Sequence, residues 1–217
     1  AHLSRSPSGY AIPGFSPEGE IGPGRRGFSL GESELVLSAN VDPSFSGTLI
    51  LAVTPEDSIA VEEAYGQWLT APFGLSAKFG RFLSGVGYLN EQHPHAWDFV
   101  DAPLAYQAFL GGRHSNDGVQ VKWLAPIDHY VELGVQAGNG DAYPGSERDR
   151  NGVGSSAFYA HTGGDIGATQ SWRAGVSYLR TRSEDELGAG AASRLGIADF
   201  VWKYAPHGTG RQNLKVQ

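Results

Sequence analysis

The sequence contains no cysteine and no methionine, and its charged residues are scarce. Without cysteine the chain has no disulfides, no catalytic thiolate and no cysteine-based zinc site. Lack of cysteine also suits an exported protein, because an exported chain meets an oxidising environment. Charged residues make up 18% and aromatic residues 11% of the chain, a composition that argues against intrinsic disorder.

Long hydrophobic runs and a basic excess are missing as well. No stretch of about 18 apolar residues exists, so no transmembrane helix is expected, and no segment has the pattern of a signal peptide. The formal net charge of -7 leaves no basic surface for a nucleic acid. These absences leave two classes, a soluble protein and a transmembrane β-barrel. A barrel remains possible because its strands have a much weaker hydropathy signal than transmembrane helices.

The chain divides into a short arm and a long series of strands. Residues 1–26 are rich in Pro, Gly and Ser and predict an irregular N-terminal arm. From residue 27 to residue 217 the alternation of apolar and polar residues predicts an all-β region with about ten strands. These strands are expected at 28–40, 46–54, 59–70, 75–84, 118–125, 129–138, 154–163, 171–182, 194–204 and 211–217.

From the fourth predicted strand onward, the connections alternate strictly between long loops and short turns. "APFG", "PID", "GDIGATQ" and "PHGTG" are short, whereas residues 85–117, 139–153 and 183–193 form long loops. Outer-membrane barrels have this asymmetry, with short turns facing the periplasm and long loops facing outside. The pattern predicts an antiparallel transmembrane β-barrel in the bacterial outer membrane.

Four of the five tryptophans support a membrane boundary. Each lies on a predicted strand, close to a short turn and on the apolar side of the alternation. Indole rings favour the interface between hydrocarbon and headgroups, so these residues predict an aromatic girdle. They are Trp68, Trp123, Trp172 and Trp202.

The opposite side of the same strands is polar, and it would line a lumen with charges of both signs. Cross-strand pairing of these side chains is the plainer interpretation for most positions. The last strand, "RQNLKVQ", stops in mid-alternation, and a barrel in lipid must close. We therefore expect this chain to be the N-terminal portion of a longer barrel. The predicted pore-lining and constriction residues are Glu63, Lys78, Lys122, Glu132, Arg173, Asp199, Trp97 and Asp98.

Several segments resemble a group of Gram-negative outer-membrane proteins, the phosphate-selective-porin-like barrels, whose relatives include zinc-regulated outer-membrane receptors. These segments are "GRRGFSLGESELVLSANVDPSFSG", "VEEAYGQW", "KFGRFLSGVGYLNEQHPHAWDFVDAPL" and "SWRAGVSYLRTR". The resemblance implies about sixteen strands in the complete barrel, passive diffusion of a small solute, trimers, and contact with outer-membrane lipid and lipopolysaccharide. The mixed charges of the predicted lumen do not match the Arg and Lys ladder that phosphate selectivity needs.

The stretch "HPHAWDFVD" in the longest predicted loop contains residue types that commonly bind metal ions. His93 and His95 would point to the same side of an extended chain and could bind zinc or nickel with Asp98 or Asp101. A structural role, in which this stretch joins the loop to the inner wall, is the competing interpretation. A short helix beginning near Asp101, with Asp101 as its N-cap, is expected to follow.

Catalysis is not predicted, because no G-x-S-x-G elbow or α/β alternation is present. The sequence favours a porin-like channel for small polar solutes or ions, without a cofactor and with the loop at 85–117 as its constriction. The first alternative is an outer-membrane receptor or binding protein for a metal such as zinc. The second is a soluble β-sandwich binding protein.

Overall fold

A computed structural model describes residues 33–53, 58–99, 102–146, 152–184, 190–207 and 214–217. Ten strands form one antiparallel sheet in which every strand pairs with its neighbours in chain order. Their bounds are β1 Ser33–Asn40, β2 Phe45–Val53, β3 Ile59–Ala71, β4 Leu75–Leu83, β5 Ser115–Leu124, β6 Tyr130–Gly138, β7 Ser155–Ile166, β8 Gln170–Glu184, β9 Gly190–Tyr204 and β10 Leu214–Val216.

The predicted all-β architecture is confirmed, with ten strands near the expected places. The predicted loop at 85–117 is too long at its C-terminal end, because β5 begins at Ser115 and pairs there with Leu83. The connection therefore comprises residues 84–114. The predicted arm at 1–26 and the start of the first predicted strand lie outside the described residues.

Within the described sheet, β1 pairs only with β2 and β10 only with β9. Among the described residues, no helix is both long enough and apolar enough to span a membrane.

The two faces of the sheet differ in character, because alternate side chains point to opposite sides. One face, here called the loop face, is covered by residues 84–114, which reach Gln136 and Ser177 with hydrogen bonds. The opposite face carries large apolar side chains that remain half exposed. They include Phe79, Val119, Val135, Phe158, Val176, Tyr178 and Phe200.

The four strand tryptophans lie on this opposite face. Trp172 and Trp202 are direct cross-strand partners in β8 and β9, and Phe45 is the partner of Trp68, with stacked rings 5.9 Å apart. The indole N–H of Trp123 donates to the carbonyl of Phe73 in the adjoining turn. The predicted placement of these tryptophans on the apolar face beside short turns is confirmed.

A β-bulge in β3 changes which side chains reach the loop face. Ile50 pairs with Glu63, whereas the next residue, Leu51, pairs with Val61, so Glu62 is the extra residue. A bulge places an additional side chain out of the regular alternation. Glu62 and Glu63, although consecutive, both contact the loop on the same face.

Candidate functional site

The described residues of the loop, 84–99 and 102–114, form a layer on the sheet. They include a short 3-10 turn, Pro94–Ala96, and a helix, α1, Leu104–Leu110. The helix begins after Pro103, whose fixed φ suits a helix start, and it ends at Gly111 in the left-handed conformation. The predicted helix is therefore confirmed, whereas its predicted N-cap, Asp101, lies outside the described residues.

Apolar contacts fix both halves of the loop to the strands beneath. Val86 and Leu110 are almost fully buried and pack against Ala157 of β7 and Leu179 of β8. Burying a side chain of this kind stabilises a fold by about 1.5–3 kcal/mol. The loop therefore has an apolar core of its own, and its polar residues are held in defined positions.

Asn90 joins the two ends of the loop. Its amide NH2 donates to the carbonyls of Ser84 and His114, at 2.7 and 2.8 Å, and its Oδ1 accepts from the backbone N–H of His114 at 2.7 Å. The side chain is completely buried. These bonds sit where β4 ends and β5 begins, so one side chain closes the base of the loop.

We expect Asn90→Ala to loosen the loop without unfolding the sheet. The change removes the Asn90 partner of the Ser84 carbonyl and of the His114 N–H, whereas the His114 carbonyl keeps the Ser84 N–H as a donor. Each buried group left without a partner costs about 1–3 kcal/mol. Chymotrypsin should cut the variant faster than the wild type near the half-exposed Trp97 and the exposed Phe99. Gln92→Ala is the matched control, since the Gln92 side chain donates one partly buried bond to the Tyr88 carbonyl. Equal cutting rates for Asn90→Ala and wild type would contradict this role.

His93 lies at the centre of a cluster of three carboxylates that come from two strands, β1 and β3. Its Nδ1 is 3.1 Å from Oε1 of Glu34 in β1 and 3.2 Å from Oε2 of Glu62 in β3. Its Nε2 is 2.9 Å from Oε1 of Glu63. The ligand atoms of Glu34, Glu62 and His93 all lie within 4.8 Å of one another, which is compact enough to hold one metal ion.

The surroundings of His93 favour the protonated, positively charged form of its ring. Hydrogen bonds to Glu62 and Glu63, with Glu34 nearby, raise the pKa of His93 to about 10. The ring is therefore an imidazolium at neutral pH when protons alone compete for it. Arg113 adds a second cation, because its Nη2 donates to Oε1 of Glu62 at 2.7 Å.

The other residues predicted in this stretch have different surroundings. His95 is largely exposed, and its Nδ1 is 3.6 Å from Oε1 of Glu34. The carboxylate of Asp98 pairs with Lys215 of β10, and Asp98 is absent from the compact group that the described residues form around His93. Trp97 is half exposed and donates its indole N–H to the carbonyl of Gln92.

The predicted pore-lining side chains of the strands all lie on the loop face. Lys122 binds Oε1 of Glu91 in the loop at 2.7 Å and lies 3.9 Å from Glu132. Glu132 in turn contacts Nδ1 of His161 at 3.1 Å. This chain of charges links the loop to β5, β6 and β7 and leaves neither sign in large excess.

Further along the same face, cations lie over aromatic rings. The guanidinium of Arg173 is 5.4 Å from the ring centre of Tyr88, and the ammonium of Lys78 is 4.6 Å from that of Tyr65. Such contacts attract the cation to the ring face and hold it in place. Asp199 differs, because both of its carboxylate oxygens are buried without a hydrogen-bond partner among the described residues.

Sequence reasoning did not select Glu62 or Arg113. Strict alternation assigns Glu62 to the face opposite Glu63, and only the bulge brings both to His93. Arg113 was part of the predicted long loop, with no local pattern to mark it. Two consecutive glutamates in an otherwise apolar strand segment are the one signal that could have indicated a bulge with a function.

Comparison with known proteins assigns no activity. No family model matches the sequence. An uncharacterized protein of Aquifex aeolicus (strain VF5) is 43% identical over 137 residues, which are 62% of this chain and 28% of that protein. The match therefore spans little more than a quarter of the length of this curated relative.

Proposed function

We propose that this chain forms ten strands of an outer-membrane barrel similar to the porin-like group, and that the barrel passes small polar solutes or ions by passive diffusion. The observation that carries the proposal is the contrast between the two faces of one sheet. A broad apolar face stays exposed, while the polar face is partly covered by an ordered loop.

The apolar face has the dimensions of a membrane-facing band. On β8 its side chains run from Trp172 through Val176 and Tyr178 to Arg180, where the charged residues begin. Eight residue steps rise about 27 Å along a strand, and a tilt of about 40° reduces this to a height of about 20 Å. Outer-membrane barrels have an apolar band of about 25 Å between aromatic girdles.

The polar face is suited to a water-filled passage. Lys122 of β5, Glu132 of β6 and Arg173 of β8 give this face charges of both signs, and the loop places Glu91 opposite Lys122. A loop that lies against the inner wall narrows a barrel, and the charges at the narrowing select among solutes. Residues 84–114 would therefore form the constriction, and the solute would be small and polar.

The open edges of the described sheet fit a larger assembly. Unpaired backbone groups at a strand edge are too costly in hydrocarbon, so a membrane barrel must close. Further strands of the same polypeptide would close it, for an even total of about sixteen. The greater length of the Aquifex relative is compatible with this arrangement. Lipid and lipopolysaccharide would surround the barrel, which would assemble as a trimer.

A soluble β-sandwich is less well supported. A sandwich buries the inner faces of two sheets against each other. Here the described strands form a single sheet, and its apolar face is the exposed one. Exposed apolar areas of this extent on a soluble monomer indicate an interaction surface.

Fractionation of the full-length protein tests the membrane assignment. A barrel should sediment with outer membranes, require detergent for extraction, and migrate differently on a gel before and after boiling. Recovery from the soluble fraction without detergent, with no heat-dependent shift, would contradict the proposal.

A further inference from the structure

The geometry points to a divalent transition-metal site, with zinc as the expected ion, formed by Glu34, Glu62 and His93. Glu63 would accept a hydrogen bond from Nε2 of His93 and so orient the ring for metal binding. This site is independent of the channel proposal, because it depends only on side chains that the described fold brings together.

The distances within the cluster match the edges of a metal coordination sphere. Zinc bonds to histidine nitrogen and carboxylate oxygen are about 2.0–2.2 Å long, so two ligand atoms of a tetrahedral site lie about 3.3 Å apart. Nδ1 of His93 is 3.1 Å from Oε1 of Glu34 and 3.2 Å from Oε2 of Glu62. A nitrogen with one proton would have to share it between these two oxygens, which weakens both contacts, whereas a metal ion would bind all three atoms.

Glu63 occupies the position of a supporting carboxylate. Its Oε1 is 2.9 Å from Nε2 of His93, and its Oε2 accepts the backbone N–H of Leu83 at 3.1 Å. A metal-bound histidine commonly donates its second ring N–H to a carboxylate, which fixes the tautomer and orients the ring. With the proton on Nε2, the lone pair of Nδ1 points toward Glu34 and Glu62.

Arg113 borders the cluster at two atoms. Its Nη1 is 3.4 Å from Nδ1 of His93, a long contact that a metal ion on Nδ1 would replace, while the bond from Nη2 to Oε1 of Glu62 would remain. Arg113 binds Oε1 of Glu62, whereas Oε2 is buried and lies 3.2 Å from Nδ1 of His93. Arg113 together with one divalent ion neutralises the three carboxylates when His93 gives up its Nδ1 proton on binding the metal. The complete cluster would then carry no net charge, which suits its largely buried position.

His95 is a candidate for the fourth ligand. Nδ1 of His95 is 3.6 Å from Oε1 of Glu34, and the side chain is 70% exposed, so it can swing toward the ion or leave a water molecule there. One or two imidazoles with two carboxylates favour zinc and its transition-metal neighbours over magnesium or calcium. The ion would connect β1 and β3 to the loop.

Zinc titration of the tag-free, full-length protein in detergent by calorimetry tests this site. We expect one zinc ion per chain, and at least a hundredfold loss of affinity in the double variant Glu34→Gln with His93→Gln. Glu63→Gln should weaken binding by about 10–100-fold, the range seen for supporting carboxylates. When cobalt replaces zinc, the protein should show the visible absorption spectrum of a cobalt ion bound by nitrogen and oxygen. The Glu63→Gln variant should show a changed cobalt spectrum.

Asp98→Asn and Glu91→Gln are the matched controls, because both carboxylates lie in the same loop but outside the cluster. Binding in these variants should equal that of the wild type. Heat-dependent gel migration verifies that each variant is folded. Absence of stoichiometric zinc binding by the folded wild type, or unchanged affinity in the folded double variant, would overturn the site. A loss of binding in Asp98→Asn equal to that in the double variant would overturn this choice of ligands.

Discussion

Replacing residues 86–112 with a short Gly-Ser linker should increase the single-channel conductance of the full-length protein, on the order of two-fold or more, since these residues cover the polar face at the proposed constriction. The sheet can accommodate the deletion. Leu83 and Ser115 are cross-strand partners, and the backbone of Ser84 donates to that of His114 at 3.0 Å, so the ends of the removed segment are already adjacent.

The deletion also exposes Ala157 and Leu179, which the loop covers in the intact protein. Heat-dependent gel migration should therefore be compared first, to verify that the shortened barrel is folded. The control replaces residues 185–189, between β8 and β9, with the same short Gly-Ser linker, which should leave conductance near the wild-type value. A folded deletion variant with unchanged conductance would contradict a constricting role for residues 86–112.

Reversing the charge of Lys122 should make the channel strongly selective for cations. Lys122→Glu would place a third carboxylate beside Glu91 and Glu132, which now lie 2.7 and 3.9 Å from the ammonium. Two like charges 4 Å apart repel by about 4 kcal/mol near a protein surface. Glu91 would move away with its part of the loop, and the lumen would become more negative. The reversal potential in a potassium chloride gradient measures this change directly.

Two further variants distinguish the effect of a charge at position 122 on ion selectivity from the effect of the net charge of the protein. Lys122→Gln removes the positive charge without adding a negative one, so its reversal potential should lie between those of the wild type and Lys122→Glu. Arg180→Glu changes net charge by the same amount as Lys122→Glu but on the exposed opposite face, and it should leave selectivity near the wild-type value. Equal shifts for Arg180→Glu and Lys122→Glu would show that the loop face does not line the pathway.

The strands, and the face of the sheet on which each side chain lies, could be predicted because both depend on the alternation of apolar and polar residues along the sequence. Glu63, Lys122 and Arg173 lie on the face where the sequence pattern assigned them, and the long connection before β5 forms an ordered layer there. A period of two residues is enough to separate the faces of a regular strand, and turn residues mark where each strand ends.

The details of the cluster could not be predicted because they depend on non-local packing. The approach of Glu34 to His93 joins residues 59 positions apart, and it requires the loop to fold back over the sheet. Glu62 reaches the cluster only through a bulge. The 3-10 turn at Pro94–Ala96 also replaces the extended backbone that the sequence argument assumed, yet the rings of His93 and His95 remain 5.8 Å apart.

Single-channel recording of the purified full-length protein in planar lipid bilayers tests the central claim most directly. A porin-like barrel should give stepwise, stable conductance increases that depend on salt concentration and require no energy source. A folded, heat-modifiable protein that inserts into the bilayer and gives no conductance would contradict the channel proposal.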